Sequence, residues 1–198
     1  MTAVKRAKIT FVGLVQSLFS LSITIRARCA LSCCRAGTLR STLGAMNDRP
    51  QPEFRVMTAI SLVGTMTIYD SQAEASKGIP EQWCEFLKQQ HPGVGDLYGA
   101  SPCTNDRKIH YLVGVGPESP QAVEGAPLTL EAGEYAVVQV DDPAQLRDTW
   151  LWLLTSWLAN SGRRERHAPE FERYTRISEN GTPIGPVEIW IPLEPTTV

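Results

Sequence analysis

The sequence lacks the short motifs that mark most catalytic and cofactor sites. It has no CxxC pair and no glycine-rich phosphate loop, and its three histidines are scattered without metal-ligand spacing. No Ser, His and Asp residues occur in the order of a known hydrolase triad. We therefore expect no metal and no cofactor.

Acidic residues are absent from the first 45 positions, which nevertheless hold seven of the 19 Lys and Arg residues. All 21 Asp and Glu residues follow, so the rest of the chain is strongly acidic. Proteins bind phosphate backbones mainly through clustered Lys and Arg, so this balance argues against direct binding of nucleic acid. It suits a cationic partner better.

An apolar run, FVGLVQSLFSLSITI at 11–25, follows three basic residues and is similar to a secretory signal. Polar residues dilute it, no clean cleavage site follows, and a membrane span needs about 20 apolar residues. We therefore expect no membrane association. Residues 1–52 are predicted to be a leader that is disordered or not part of the functional domain, which then spans 53–198.

An odd number of cysteines cannot pair completely, and three of the five crowd into the leader, at Cys29, Cys33 and Cys34. Cys84 and Cys103 lie alone in the sequence. Reduced thiols are the simplest interpretation, and they are typical of the cytoplasm. We therefore expect a cytoplasmic protein.

From residue 54 onward the pattern reads strand, helix, strand, strand, and then repeats this order. In the first copy, about 54–117, Pro80 suits the first turn of the helix. Its elements are predicted over 56–69, 79–90, 96–100 and 109–115. In the second copy, about 128–195, Asp141 or Asp142 can cap the helix and Gly162 can end it. Its strands are predicted over 128–140, 171–175 and 187–193.

The two copies are expected to pack together. Neither four-element unit buries its sheet well alone, so pairing about an approximate two-fold axis is the economical arrangement. We predict an α+β fold built by tandem duplication of the strand-helix-strand-strand unit, with pseudo-two-fold symmetry. A ligand cleft is expected between the copies, because pockets favour junctions between packed units.

Four segments of the second copy resemble the GyrI-like family, which includes the AraC-type effector-binding domains. They are LEAGEYAVVQV (130–140), WLWLLTSWL (150–158), PEFERY (169–174) and VEIWIPLE (187–194). The first copy is similar through IPEQWCEFL (79–87) and HYLVGVG (110–116). The resemblance covers about residues 54–195 and implies a domain that binds a small organic molecule.

The resemblance has two departures. Leu112 stands where family members often carry an acidic or polar residue in the last strand of the first copy. The leader matches nothing in the family and is too short for a complete DNA-binding region. We therefore interpret the chain as a stand-alone effector-binding domain with no direct nucleic-acid partner.

The last predicted strand alternates between two faces. Its aliphatic residues, which should pack under the helices, are Val187, Ile189, Ile191 and Leu193. Glu188 and Trp190 share the other face, toward the predicted cleft. Alternation alone favours a solvent-exposed Glu188, whereas the resemblance implies that this acid recognises a cation, with Trp190 adding a cation-π contact.

Five further residues are candidates for the cleft wall. They are Tyr174, Tyr69, Trp83, Tyr111 and Leu112. Each aromatic residue among them is also compatible with a place in the core. With Glu188 and Trp190 they form the predicted site for a small cationic molecule of aromatic or amphipathic character.

Two alternatives to a simple binding module stay open. As a hydrolase, the chain would use Glu188 and Tyr174 to activate water. As an inhibitor, a function implied by the family name alone, it would bind a macromolecular partner. A monomer and a homodimer are both compatible with the sequence.

Overall fold

The computed structural model describes residues 49–89, 95–119, 122–175 and 185–196. The predicted leader lies outside the described residues up to position 48, and so does the expected end of the first helix at 90–94. No helix in the described ranges is long and apolar enough to cross a membrane.

Eight antiparallel strands form one curled sheet. The strands are β1 (Glu53–Met57), β2 (Ile60–Tyr69), β3 (Leu97–Ser101), β4 (Ile109–Val115), β5 (Ala126–Leu130), β6 (Gly133–Val140), β7 (Glu170–Tyr174) and β8 (Val187–Pro192). Their order across the sheet is β1-β6-β8-β7-β3-β4-β2-β5. The centre of the sheet is therefore the pair β7 and β3, and the edges are β1 and β5.

The opening strand of each predicted copy is in fact two strands. The stretch predicted as one strand over 56–69 is interrupted between β1 and β2, and these two strands lie far apart in the sheet. The stretch 128–140 is interrupted before Gly133, whose φ of 147° is disfavoured for other residues. Composition stays strand-like across both breaks, so it does not reveal that the hydrogen-bonding partner changes.

Helix α1 spans Gln72–Gln89 and begins before the predicted start at 79. Ser71 Oγ accepts a hydrogen bond from the Glu74 N–H at 3.2 Å, and the Glu74 carboxylate accepts a nearby backbone N–H. This Ser-x-x-Glu pattern is a helix-start signal that our sequence analysis did not use. Pro80 therefore lies inside the helix rather than in its first turn.

The second helical segment has three parts. It comprises α2 (Leu146–Trp152), a π-helical turn (Leu153–Trp157) and α3 (Leu158–Asn160), preceded by a 3-10 turn (Pro143–Gln145). Asp142 accepts a hydrogen bond from the Ala144 N–H at 2.9 Å, which confirms its predicted capping role. Gly162 follows the segment with a φ of 70°.

The sheet separates two buried layers of side chains. The helix-side layer joins the sheet to α1 and α2 and contains the residues predicted to lie under the helices, Val187, Ile189, Ile191 and Leu193. That prediction is confirmed. The far-side layer is built from strand residues of the curled sheet and includes Leu62, Leu130, Tyr135, Phe171 and Trp190.

Candidate functional site

A buried carboxylate lies at the centre of the helix-side layer. Glu172 is in the middle of β7, and only 3% of its surface is exposed. Because side chains alternate along a strand, Glu172 shares its face with Tyr174, whereas Phe171 belongs to the far-side layer. Both α1 and α2 pack over this part of the sheet.

Three neutral donors hold the Glu172 carboxylate. Tyr174 Oη donates to Oε2 at 2.7 Å and Tyr111 Oη donates to the same oxygen at 3.4 Å. Trp150 Nε1 donates to Oε1 at 2.6 Å. Trp83 Nε1 donates to Tyr111 Oη at 3.2 Å and thus extends the network into α1. We call these five residues the Glu172 cluster.

The environment of Glu172 opposes its ionisation. Burial raises the pKa of Glu172 to about 7, against the three hydrogen bonds, which lower it. The nearby Glu170, on the same strand face, raises this pKa further through charge repulsion. Burial also raises the pKa of Tyr111 and of Tyr174 well above the usual value, so both hydroxyls stay protonated donors.

The strands beside Glu172 present apolar positions to it. Gly99 of β3 and Ile189 of β8 are its register partners. A Cβ at Gly99 would lie 2.1 Å from Tyr111 Oη and 3.1 Å from a ring carbon of Trp83. The missing side chain therefore lets Tyr111 and Trp83 lie over β3 and reach toward the carboxylate.

Aromatic rings enclose the Glu172 cluster. The rings of Trp83 and Tyr174 meet edge to face with their centroids 4.9 Å apart. Tyr69, another predicted wall residue, lies in the same layer but donates its hydroxyl to Gln82 Oε1 at 2.9 Å. Gln82 in turn donates to the Tyr111 carbonyl at 3.0 Å, so Tyr69 supports the cluster indirectly.

Glu188 lies on the other face of the sheet and has cationic partners of its own. Arg55 Nη1 lies 2.7 Å from Oε1, and Arg173 Nη1 lies 3.4 Å from Oε2. Trp190 Nε1 also donates to Oε2 at 3.1 Å. The Arg55 guanidinium is 5.7 Å from the Trp190 ring centroid, so this arginine occupies the place expected for a cationic ligand.

The structure therefore divides the predicted site residues between the two layers. Tyr174, Tyr111, Trp83 and Tyr69 lie in the helix-side layer, while Trp190 and Leu112 lie in the far-side layer. Of these two, Trp190 contacts Glu188, and Leu112 lies on β4, separated from β8 by two strands. Glu188 and Tyr174, which we had paired for water activation, lie on opposite faces. The Tyr174 hydroxyl binds Glu172 instead.

Sequence reasoning did not select Glu172 or Trp150. Glu172 is two residues from Tyr174 in the segment PEFERY, so alternation from that candidate would have found it. Trp150 lies on the apolar stripe of its helix, where a hydrogen-bonding role leaves no mark in the periodicity.

The model of the Cass2 family, described as integron-associated effector binding protein, matches residues 57–193. A search of curated proteins gives no match.

Three solved structures share the fold. An integron cassette protein from the mobile metagenome of Vibrio cholerae has a TM-score of 0.56 and 15% identity, covering 73% of this chain and 96% of that one. SAV2435 bound to tetraphenylphosphonium has a TM-score of 0.55 and 18% identity, covering 73% and 94%. A putative transcription regulation protein from Staphylococcus aureus MU50 has a TM-score of 0.54 and 16% identity, covering 74% and 99%.

Proposed function

Because the chain belongs to the Cass2 family of integron-associated effector binding proteins, we propose that it binds a small organic cation at the Glu172 cluster. The ligand is aromatic or amphipathic. The observation that carries the proposal is a buried carboxylate whose three hydrogen-bond partners are neutral aromatic residues. The proposal agrees with the expected stand-alone binding module and moves its central acid from Glu188 to Glu172.

A bound cation would offset the free-energy cost of ionising the buried Glu172 carboxylate. An ionised carboxylate in apolar surroundings is unstable unless it is paired, and a ligand cation supplies that pair. The surrounding rings add cation-π attraction and apolar contact area. The shared fold of SAV2435, whose structure contains tetraphenylphosphonium, supports a lipophilic cation as the ligand class.

The Glu188 site predicted from the sequence is the competing location. Its carboxylate is paired with Arg55 and Arg173, so a cation that bound there would have to displace a guanidinium. Such an exchange gains little, because one charge pair replaces another. For this reason the proposal places the ligand on the helix side.

We also propose that the domain arose by tandem duplication. The first half of the chain contributes strands β1 to β4 and the second half contributes β5 to β8. When the strands of each half are numbered one to four in chain order, the order across the sheet is 1-2-4-3-3-4-2-1, which is the same from either edge. The central strands β3 and β7 would then be equivalent, and Gly99 would be the counterpart of Glu172. This relation would give the site a single acid at the junction of the two halves.

The remaining expectations concern the setting of the protein. Cys84 and Cys103 are reduced thiols in the structure, which supports the proposed cytoplasmic location. Hydrolysis is the second candidate function, since Glu172, with a pKa near 7, contacts the Tyr174 hydroxyl. Mass spectrometry of a cationic aryl ester such as benzoylcholine after long incubation checks this, and the binding proposal expects no hydrolysis beyond the rate without protein.

Calorimetric titration with tetraphenylphosphonium tests the binding proposal. Glu172→Gln keeps the shape and deletes the charge, so we expect it to weaken binding by about 2 to 5 kcal/mol, tens to thousands of fold. Glu188→Gln is the matched variant on the other face and should leave the affinity within about threefold of the wild type. The neutral analogue triphenylphosphine oxide should respond to neither change.

Circular dichroism must show that both variants are as folded as the wild type. A large loss in Glu188→Gln with none in Glu172→Gln would place the ligand in the far-side layer. Equal affinity in all three proteins would remove both acids from the site.

A further inference from the structure

The hydrogen-bonding capacity of Glu172 is nearly used up by the protein itself. A carboxylate has about four acceptor positions. Tyr174, Tyr111 and Trp150 fill three of them. At most one position on this carboxylate is left for a ligand, although its negative charge remains.

Few other acceptors lie close to the carboxylate. The register partners of Glu172 are Gly99, which has no side chain, and Ile189, whose side chain has no polar atom. The indole N–H groups of the cluster are donors only, and Tyr111 Oη already accepts from Trp83. Glu170, two residues along β7, is about 7 Å away along the strand. It adds negative potential that favours every cation alike.

Cations differ in how much they need such acceptors. A primary ammonium group carries three N–H donors that are hydrogen-bonded to water before binding. In a closed aromatic site the acceptors of the cluster are one carboxylate position and the hydroxyl oxygens of Tyr174 and Tyr111, whose protons point at Glu172. Three N–H donors are therefore hard to pair there, and each one that stays unpaired is costly. A quaternary ammonium or phosphonium ion has no N–H and loses no hydrogen bond on entry.

We propose that Tyr174, Tyr111 and Trp150 act as specificity-determining residues, because by saturating Glu172 they select onium ions without N–H donors over protonated amines of similar shape. The inference rests on the proposed function, since it requires that the ligand cation lies against Glu172. Because the three donors occupy most of its acceptor positions, Glu172 attracts the ligand mainly through its charge and not by accepting hydrogen bonds from it.

Two probes with the same skeleton test the inference by calorimetry at pH 8. They are the N,N,N-trimethyl-3,3-diphenylpropylammonium ion and the primary 3,3-diphenylpropylammonium ion. The trimethyl probe has extra apolar area, so the informative quantity is how the ratio of the two dissociation constants changes between protein variants.

Tyr174→Phe removes the shortest hydrogen bond to Oε2 and frees an acceptor for the primary ammonium. We expect the preference for the trimethyl probe to fall by about fivefold or more relative to the wild type. Tyr111→Phe, which removes the longer bond, should change the ratio in the same direction by less. Tyr111→Phe also tests the inference if Tyr174→Phe does not fold.

Tyr135→Phe is the matched control, because this buried far-side hydroxyl donates to the Glu131 carbonyl and not to Glu172. Its ratio should equal that of the wild type. An unchanged ratio in both Tyr174→Phe and Tyr111→Phe overturns the inference while leaving the binding proposal intact. If neither probe nor tetraphenylphosphonium binds the wild type, the binding proposal itself fails.

Discussion

Each face of the sheet buries a glutamate that contacts aromatic side chains, and the fold gives these two carboxylates, Glu172 and Glu188, different partners. Glu172, on the helix side, accepts hydrogen bonds from two tyrosines and a tryptophan. Glu188, on the far side, is 8% exposed and is bound by two guanidinium groups and a tryptophan. Both acids face aromatic rings, so the rings do not distinguish them.

What distinguishes them is whether the charge is neutralised within the molecule. Arg55 and Arg173 neutralise Glu188, and Arg173 is also bound to Asp96 at 2.5 Å, so the far-side network is self-contained. Neutral donors orient the Glu172 carboxylate without neutralising it, and its pKa rises to about 7. Our proposal of a cation site at Glu172 therefore depends on its neutral partners and not on its aromatic setting.

The largest effect that we expect from this difference is a pH dependence of stability caused by Glu172. Its pKa is about 7 in the folded protein, against the ordinary value of 4.5. The stability due to its protonated form is fully present below about pH 4.5 and is lost as the pH rises through 7. The shift corresponds to a loss of about 3 kcal/mol.

Denaturant unfolding of the wild type and Glu172→Gln between pH 4.5 and 8.5 measures this effect. Other groups also titrate in this range, so the expected result is that the free energy of unfolding declines less steeply with pH in Glu172→Gln than in the wild type. Parallel curves of unfolding free energy against pH for the two proteins would mean that Glu172 titrates normally and that burial does not oppose its ionisation.

The next effect concerns ligand affinity. Below pH 7 a cation must displace the proton of Glu172, so the affinity for tetraphenylphosphonium should fall with falling pH, by up to about 100-fold between pH 8 and pH 5. Tyr111 and Tyr174 keep their protons throughout this range, and Glu170 is the acid on this face that raises the pKa of Glu172 by charge repulsion.

Titrations of the wild type and Glu172→Gln at several pH values check this prediction. The variant should bind weakly with little pH dependence. Glu170→Gln should retain most of the wild-type profile, and a profile that instead follows Glu170 would assign the proton linkage to that residue.

The smallest effect is on the far side. Glu188→Ala leaves two guanidiniums and the Trp190 N–H without this acceptor, and we expect it to lower the free energy of unfolding by about 2 kcal/mol. A larger loss is not expected, because the Arg55 and Arg173 side chains are 37% and 36% exposed to water. Urea unfolding at pH 7 measures the change.

Glu53→Ala is the control for that measurement. Glu53 is the exposed partner of the same Arg55, at 2.8 Å, so its removal should cost under about 0.5 kcal/mol. Equal losses in the two variants would show that Glu188 is no more structural than a surface partner.

Local patterns in the sequence predicted much of the fold. The strand over 109–115 matches β4, and the aliphatic face of β8 packs under the helices as expected. The breaks after β1 and β5 were missed because they depend on which distant strand pairs with each segment. The match to the Cass2 family confirms the resemblance to GyrI-like domains.

The candidate site was harder to predict, because its chemistry depends on contacts between distant residues. Arg55 and Glu188 are 133 positions apart, and nothing near Glu188 in the sequence indicates its partner. Tyr174, Tyr111 and Trp83 lie together in the helix-side layer, whereas Glu188, the acid selected from the sequence, lies on the other face of the sheet, and our proposal uses Glu172 of β7 instead. The hydrogen bond that Tyr174 donates to Glu172 was not predicted from the sequence.

The positions of the edge strands have a consequence for how the chain reaches its native state. Residues 53–57 hydrogen-bond to 133–137, and residues 60–64 hydrogen-bond to 126–130, so each half contributes an edge to the other half's sheet. Loop closure over such separations is entropically costly, and proteins dominated by non-local pairings fold in milliseconds to seconds. The edges of the sheet therefore form after most of the chain has been synthesised, and an expressed half would present an unpaired, aggregation-prone strand.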